Sequence, residues 1–391
     1  MRITKLFKEF YESEKTGGII LIFCTILSLS IANSIFQSSY ISLWQSKIAN
    51  ISIEHWINDG LMAIFFLLVG LELKRELYVG ELSKVKNALL PVIAAIGGML
   101  IPATLYLLIN YGLKTKTGAG IPMATDIAFA IGVLSLLGKR VPISLKIFLT
   151  ALAVIDDLGA IIVIALVYST SLAWLNLVIS LSIFLFLLFL NLFKVRNLFY
   201  YITGGIAMWY FMLHSGVHPT ISGVLLAFVI PLGKGNTLAS SYKLQHYLSK
   251  PVAFVILPLF ALANTAIIFG SNLHKVILEP YSLGISIGLI IGKPLGIILF
   301  SFAAVSLGIC ALPSDLKWKH IFGAGILAGI GFTMSIFITL LAFDNSTIVN
   351  NSKLIILLSS FIAGIIGFIY LKYILKEGVI EKTSSNKPLF H

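Results

Sequence analysis

Apolar runs of about 20 residues, the length that crosses a bilayer core, recur along the whole of this 391-residue chain. They fall near 17–36, 57–79, 88–110, 119–137, 143–168, 174–193, 198–212, 217–232, 251–269, 281–306, 320–342 and 351–375. Only 11% of residues are charged and 58% are hydrophobic, against about a quarter charged in an ordinary soluble domain. The chain cannot cover itself with polar surface in water, so its solvent is lipid. The expected fold is an all-α polytopic membrane protein of twelve transmembrane helices.

Basic residues test that count. With both termini inside, 22 of the 28 Lys and Arg fall on the cytoplasmic side and five (Lys47, Lys114, Lys116, Lys275, Lys353) outside, while Lys293 lies mid-span. Such a bias is the positive-inside pattern, and it disappears if one span is added or lost mid-chain. The net charge of +12 therefore reads as membrane orientation, not as nucleic-acid binding. Residues 1–16 read as a cytoplasmic amphipathic helix leading into an uncleaved first span, because the flank is long and mixed in sign. Residues 17–376 read as one transmembrane domain of twelve spans, and 377–391 as a short polar, disordered tail. Cys24 and Cys310 lie in apolar segments and read as packing residues, not as a disulfide. In the loop at 37–55, Ile41–Trp44 and Ile48–Ile53 alternate loosely and either pair as a hairpin or form an irregular loop.

Charges inside apolar runs carry the functional signal, since each costs about 2.5–3.5 kcal/mol at mid-membrane. The set is Asp126, Asp156, Asp157 and Lys293, with Asp59 and Glu72 flanking the second span. Neighbouring residues on a helix point about 100° apart, so one of Asp156 and Asp157 can face a cavity while the other turns to an adjacent helix. Two carboxylates this close resist being ionised together. A hard cation such as Na+ seeks oxygen ligands, so proton and sodium compete for the same atoms. Asp126 follows Gly118, Gly120 and Pro122, which weaken the helix before it; it can stabilise that break, take part in binding, or both. Lys293 sits in Gly284-x3-Gly288-x3-Gly292-Lys-Pro-Leu-Gly296, where glycine at every fourth position makes a smooth face for another backbone. A lysine beside that face can reach a neighbouring aspartate.

Spans four and eleven both begin Gly-Ala-Gly-Ile, at 118–121 and 323–326, and each then carries a helix-weakening stretch. Interrupted segments at matching places in two halves point to a transporter binding site, with spans 3–5 and 10–12 as inverted-topology repeats and helices 4 and 11 interrupted.

On Asn58–Glu76, Pro122–Phe129, Ile155-Asp-Asp-Leu-Gly, Gly292-Lys-Pro-Leu-Gly and Gly329–Ser335, the chain resembles the NhaA-type Na+/H+ antiporters from about Lys15 to Lys376. That family is itself a standard case of inverted repeats. The resemblance implies a secondary active transporter, not an enzyme, with no cofactor and with Na+, Li+ and H+ as transported ions. It implies electrogenic, pH-regulated exchange in a bacterial inner membrane by a homodimer held partly by the first external loop. By the same mapping Asp157 is the principal ion ligand, Asp156 its neighbour paired with Lys293, and Thr125 near the ion path. Asp126 and Lys293 compensate crossed half-helix termini. Asp59, Glu72 and Glu76 correspond to acidic residues of the cytoplasmic funnel and pH-response region. His218 matches a histidine tied to the pH profile; read from its residues alone, it is a packed interfacial side chain. The sequence departs from the family pattern at Gln245, where an acidic residue would stand, and the departure bears on the threshold of pH regulation. The rival reading is a sodium-coupled solute symporter of similar fold, although few polar side chains beyond Asn264 and Thr265 line the runs. An intramembrane aspartyl protease needs its carboxylates on different helices, and a passive channel does not call for helix breaks around one charged cluster.

Overall fold

In the computed structural model the described residues are 5–83, 85–168, 172–232, 240–269 and 273–385, and nearly all of them are helical. The principal helices are α1 (Lys5–Ala32), α2 (Gln37–Gln45), α3 (Ile53–Tyr78), α4 (Val85–Ile109), α5 (Ile127–Ser135), α6 (Ile143–Val167), α7 (Trp174–Leu192) and α8 (Leu198–Leu213). There follow α9 (Ile221–Val229), α10 (Ser240–Asn264), α11 (Leu273–Leu278), α12 (Pro280–Ser306), α13 (Trp318–Ala328), α14 (Phe332–Ala342) and α15 (Ser346–Ser385). A 3-10 stretch, Lys114–Met123, precedes α5. Among the described residues seven helices are long and apolar enough to cross a membrane, ten if each of three bent pairs is one span. Two expected spans, near 198–212 and 217–232, correspond to α8 and α9, of 16 and 9 residues.

Three expectations need correction. Ile41–Trp44 is not strand but part of α2, where Tyr40 and Trp44, one turn apart, pack edge to face at 5.7 Å. The hairpin is only Lys47–Ile48 against Ile51–Ser52, turned by Ala49 and Asn50 with φ of 51° and 65°, the left-handed pair that a tight hairpin turn requires. The last helix does not stop near 376 but continues to Ser385, through Glu and Lys residues that favour helix; residues 386–391 lie outside the described residues. At the other end the amphipathic stretch and first span form one helix from Lys5. Residues 1–4 lie outside the described residues, as do the side chains of 5–15.

Glycine sets the closest helix packing. In α12 the every-fourth-residue face lies against α4 and the 3-10 stretch. There a Cβ on Gly296 would collide with the Gly97 carbonyl, one on Gly288 with Pro122 and one on Gly292 with Pro102. Without side chains in the way, the backbones approach closely enough for van der Waals packing to hold helices that gain nothing from leaving lipid. The same device joins α9 to α3, where a Cβ on Gly223 would meet the Ala63 carbonyl. Helix α6 is held by α3, α4, α5 and α13, which places its aspartates at the centre of the bundle. Cys24 and Cys310 are free thiols.

Candidate ion-binding site

The chain leaves helical geometry at 124–126 and again at 329–331, bending by 41° and 48°. Backbone groups freed at membrane depth require partners within the protein, and here each break supplies the other. Asp126 N–H donates to the Ile330 carbonyl at 2.7 Å. Thr125 Oγ1 donates to the Ala328 carbonyl at 3.0 Å, and Ser335 Oγ to the Ile121 carbonyl at 2.7 Å. The Asp126 carboxylate serves both short helices. Its Oδ1 caps α5 by accepting Phe129 N–H at 2.9 Å, and its Oδ2 accepts Thr333 N–H at 3.0 Å and the Thr333 hydroxyl. One negative charge therefore sits at two helix N-termini, where aligned peptide dipoles favour it.

Lys293 follows directly on a π-helical stretch, Gly288–Gly292, within α12, a local widening frequent at functional sites. It is fully buried. Its Nζ donates to Thr125 Oγ1 at 2.8 Å and makes an ion pair with Asp156 Oδ2, which also accepts Thr125 Oγ1 at 2.7 Å. Asp156 thus turns to α12. Asp157 lines a cavity of about 20 Å3 shared with Asp126, Thr333, Glu72, Phe65 and Met334, the room of about one water or bare cation. Both Asp157 carboxylate oxygens are buried and accept no hydrogen bond from the protein. A buried carboxylate without donors is stable only when a proton or a cation neutralises it. The two aspartates, adjacent in sequence, stand in different surroundings: one is tied to a lysine, the other has no hydrogen-bond partner on either oxygen.

Glu72 is buried and lines the same cavity, with Gln245 of α10 beside it. Glu76 is paired instead with Arg75, Nη2 to Oε1 at 2.7 Å. Asp59 is not with them. It lies 13 residues back along α3, about 20 Å at 1.5 Å per residue, at the end that carries the hairpin and apart from Glu72 and Glu76. Its carboxylate lies 2.9 Å from His55 Nε2 and 3.4 Å from His218 Nε2. His218 packs edge-on to Phe337 at 5.3 Å and bonds Thr220 Oγ1 at 2.7 Å.

Thr333 carries no signal of its role in the sequence, although it stands within Gly329–Ser335; nothing local announces that its amide and hydroxyl reach Asp126. Two lysines expected near the ends of their spans are buried. Lys74 Nζ donates to the carbonyls of Phe228 and Ile230 at 2.6 and 2.7 Å, satisfying the last turn of α9. Lys353, expected outside, is buried because α15 begins at Ser346, so that it sits two turns inside the helix.

The family model described as Na+/H+ antiporter 1 matches residues 8–371. Similar proteins include a Na(+)/H(+) antiporter NhaA of Flavobacterium psychrophilum, 65% identical over 381 residues, covering 97% of this chain and 99% of that protein. Another, Na(+)/H(+) antiporter NhaA 1 of Clostridium beijerinckii, is 46% identical over 385 residues, 95% of this chain and 96% of its own length. Among solved structures, the sodium proton antiporter MjNhaP1 from Methanocaldococcus jannaschii at pH 8 superposes with a TM-score of 0.51 at 14% identity, covering 94% of this chain and 95% of that one; this likeness is one of fold alone. These matches lend no support to the solute-symporter alternative. The chain therefore belongs to the Na+/H+ antiporter 1 family, a family of multi-pass membrane transporters and not of enzymes.

Proposed function

We propose that the protein is an electrogenic Na+(Li+)/H+ antiporter that expels sodium in exchange for protons, working by alternating access around Asp156 and Asp157. The observation that carries this reading is Asp157: a buried carboxylate with no donor on either oxygen, beside a cavity of about 20 Å3. Proton and sodium are alternative ways to neutralise it, so binding one releases the other. Asp156, tied to Lys293 and Thr125, is the second carboxylate of the site. With both carboxylates facing one cation in the loaded half-cycle and neutralised by protons on the return, more than one proton moves per sodium and net charge crosses the membrane. Asp126 fixes the crossing breaks and borders the cavity. Glu72 and Glu76 lie toward the end that takes up cytoplasmic sodium, and Asp59 and His218, at the hairpin end, belong to the pH response. The chain crosses a bacterial inner membrane twelve times with both termini cytoplasmic, spans 3–5 and 10–12 forming inverted repeats. A homodimer is supported by an apolar groove of about 780 Å3 beside the hairpin, lined by Trp44, Ile48, Trp56, Ile206, Trp209 and Leu226, which a second copy would cover.

The test is dequenching of a pH-sensitive dye in everted vesicles on adding Na+, Li+ or K+ across several pH values. Dequenching with Na+ and Li+ but not K+, strongest at alkaline pH, is expected. No response at any pH would overturn the reading.

A further inference from the structure

A second cluster of buried charge lies at the hairpin end, apart from the aspartates. Lys353 of α15 is only 5% exposed. Its Nζ stands 3.7 Å from Glu54 Oε1 in the first turn of α3 and donates at 3.3 Å to Asn264 Oδ1, the last residue of α10. Asn264 in turn donates at 2.7 Å to Asn58 Oδ1, back on α3. Helix α15 packs on α5, α12, α13 and α14 and, among the described residues, has no comparable packing on α3 or α10. The ammonium therefore reaches across from the helices that carry Lys293 and the two breaks to the helices that carry the hairpin.

Next to this polar bridge the way from the site to the hairpin end is filled. Phe337 of α14 lies 5.4 Å from Phe66 of α3, 6.4 Å from Phe260 of α10 and 5.3 Å from His218. All three phenylalanines are buried, and none lines the cavity at Asp157, which runs instead toward Glu72. These rings pack the hairpin side of the site, and beside them the Lys353–Glu54 pair is a charged contact between α15 and α3.

We propose that Lys353 is a releasable latch: its ion pair with Glu54 and its hydrogen bond to Asn264 hold the hairpin end shut and part each time the site is exposed on that side. This inference rests on the antiporter reading, since alternating access requires each end to close in turn. The chemistry suits release. The Glu54 side chain is one-third exposed, so water screens the pair and can receive both charges when it parts. The flexible lysine stem can keep its head in polar surroundings as the helices separate. The Lys293–Asp156 pair, fully enclosed, has no such exit.

The test uses the full-length protein with Cys24→Ser and Cys310→Ser, carrying Glu54→Cys and Lys353→Cys, treated with a membrane-permeant, reducible bifunctional thiol reagent. Sodium-driven proton movement in everted vesicles should fall at least tenfold on cross-linking and return on reduction. Exchange unaltered by complete cross-linking would overturn the latch. If the cysteine pair does not accumulate in the membrane, charge reversal decides. Lys353→Glu, facing Glu54, should raise the KM for sodium or depress turnover at least threefold, and Glu54→Lys with Lys353→Glu should restore the parent's values. A swapped pair no better than the single variant would overturn the proposal. A parent protein without exchange would instead refute the antiporter reading, so the two failures are distinguishable.

Discussion

Replacing Asp126 tests whether one carboxylate holds both helix breaks. Asp126→Ala removes the cap on Phe129 N–H and the acceptor of Thr333 N–H and its hydroxyl. Loss of an N-cap costs about 1 kcal/mol, and an orphaned buried amide such as Thr333 N–H about 1–3 kcal/mol. The hydroxyl can turn to another acceptor, so it adds little. The expected destabilisation is about 2–4 kcal/mol. Asp126→Asn keeps one carbonyl oxygen and a good capping residue but presents an NH2 to the other donor, so it should fall between parent and Ala. Thr333→Val, which keeps its amide bond and loses only the hydroxyl, should be the mildest of the three. Thermal unfolding of the purified protein in detergent, followed by intrinsic fluorescence, gives the order. An Ala variant that melts with the parent would refute the argument that Asp126 satisfies the breaks.

Asp157→Asn should abolish sodium-driven proton movement while leaving the melting temperature at or above the parent's, because its oxygens hold no protein donor; surviving exchange in everted vesicles would contradict the assignment. Lys293→Ala should destabilise by about 3–5 kcal/mol at alkaline pH, the penalty of a buried charge left unpaired. Uptake of a proton by Asp156 removes that charge, so the loss should shrink as pH falls; a loss independent of pH in melting experiments would count against it. Gly296→Ala sets a methyl against the Gly97 carbonyl, backbone that cannot swing aside, and should cost about 1–3 kcal/mol or more; unchanged detergent stability would show that the seam is looser than the glycines suggest. Lys74→Met should lower stability by about 1–3 kcal/mol, since the carbonyls ending α9 lose their donor, with the KM for sodium unchanged.

What the sequence made legible is what a bilayer penalises. Asp156, Asp157 and Lys293 stand out because charge in an apolar run must have a reason, and Pro122 with its neighbouring glycines marks a break because both residues weaken helix. The every-fourth glycines of α12 told which face would be approached closely, though not that Gly97 would meet it. The pairings themselves were hidden: Thr333 is 207 residues from Asp126, and no local pattern encodes that crossing. Lys353 reads as an outer charge at the edge of the last span because hydropathy blurs where a helix starts, whereas α15 begins at Ser346; Asp59 and Glu72 are close in sequence, yet 13 residues of helix set them about 20 Å apart. Helix α2 escaped because its polar and apolar residues alternate loosely, a pattern that also suits a strand, and the edge-to-face contact of Tyr40 with Trp44 forms only once the helix has brought them one turn apart.

If sodium and proton share Asp157, sodium binding to the purified protein must displace protons. Isothermal titration across alkaline to acid pH, in buffers of differing ionisation heat, reads affinity and proton release together. Sodium addition should release protons, the apparent affinity should fall as pH drops, and both effects should be lost in Asp157→Asn. An affinity flat with pH, or binding and proton release that survive in Asp157→Asn, would contradict the shared site.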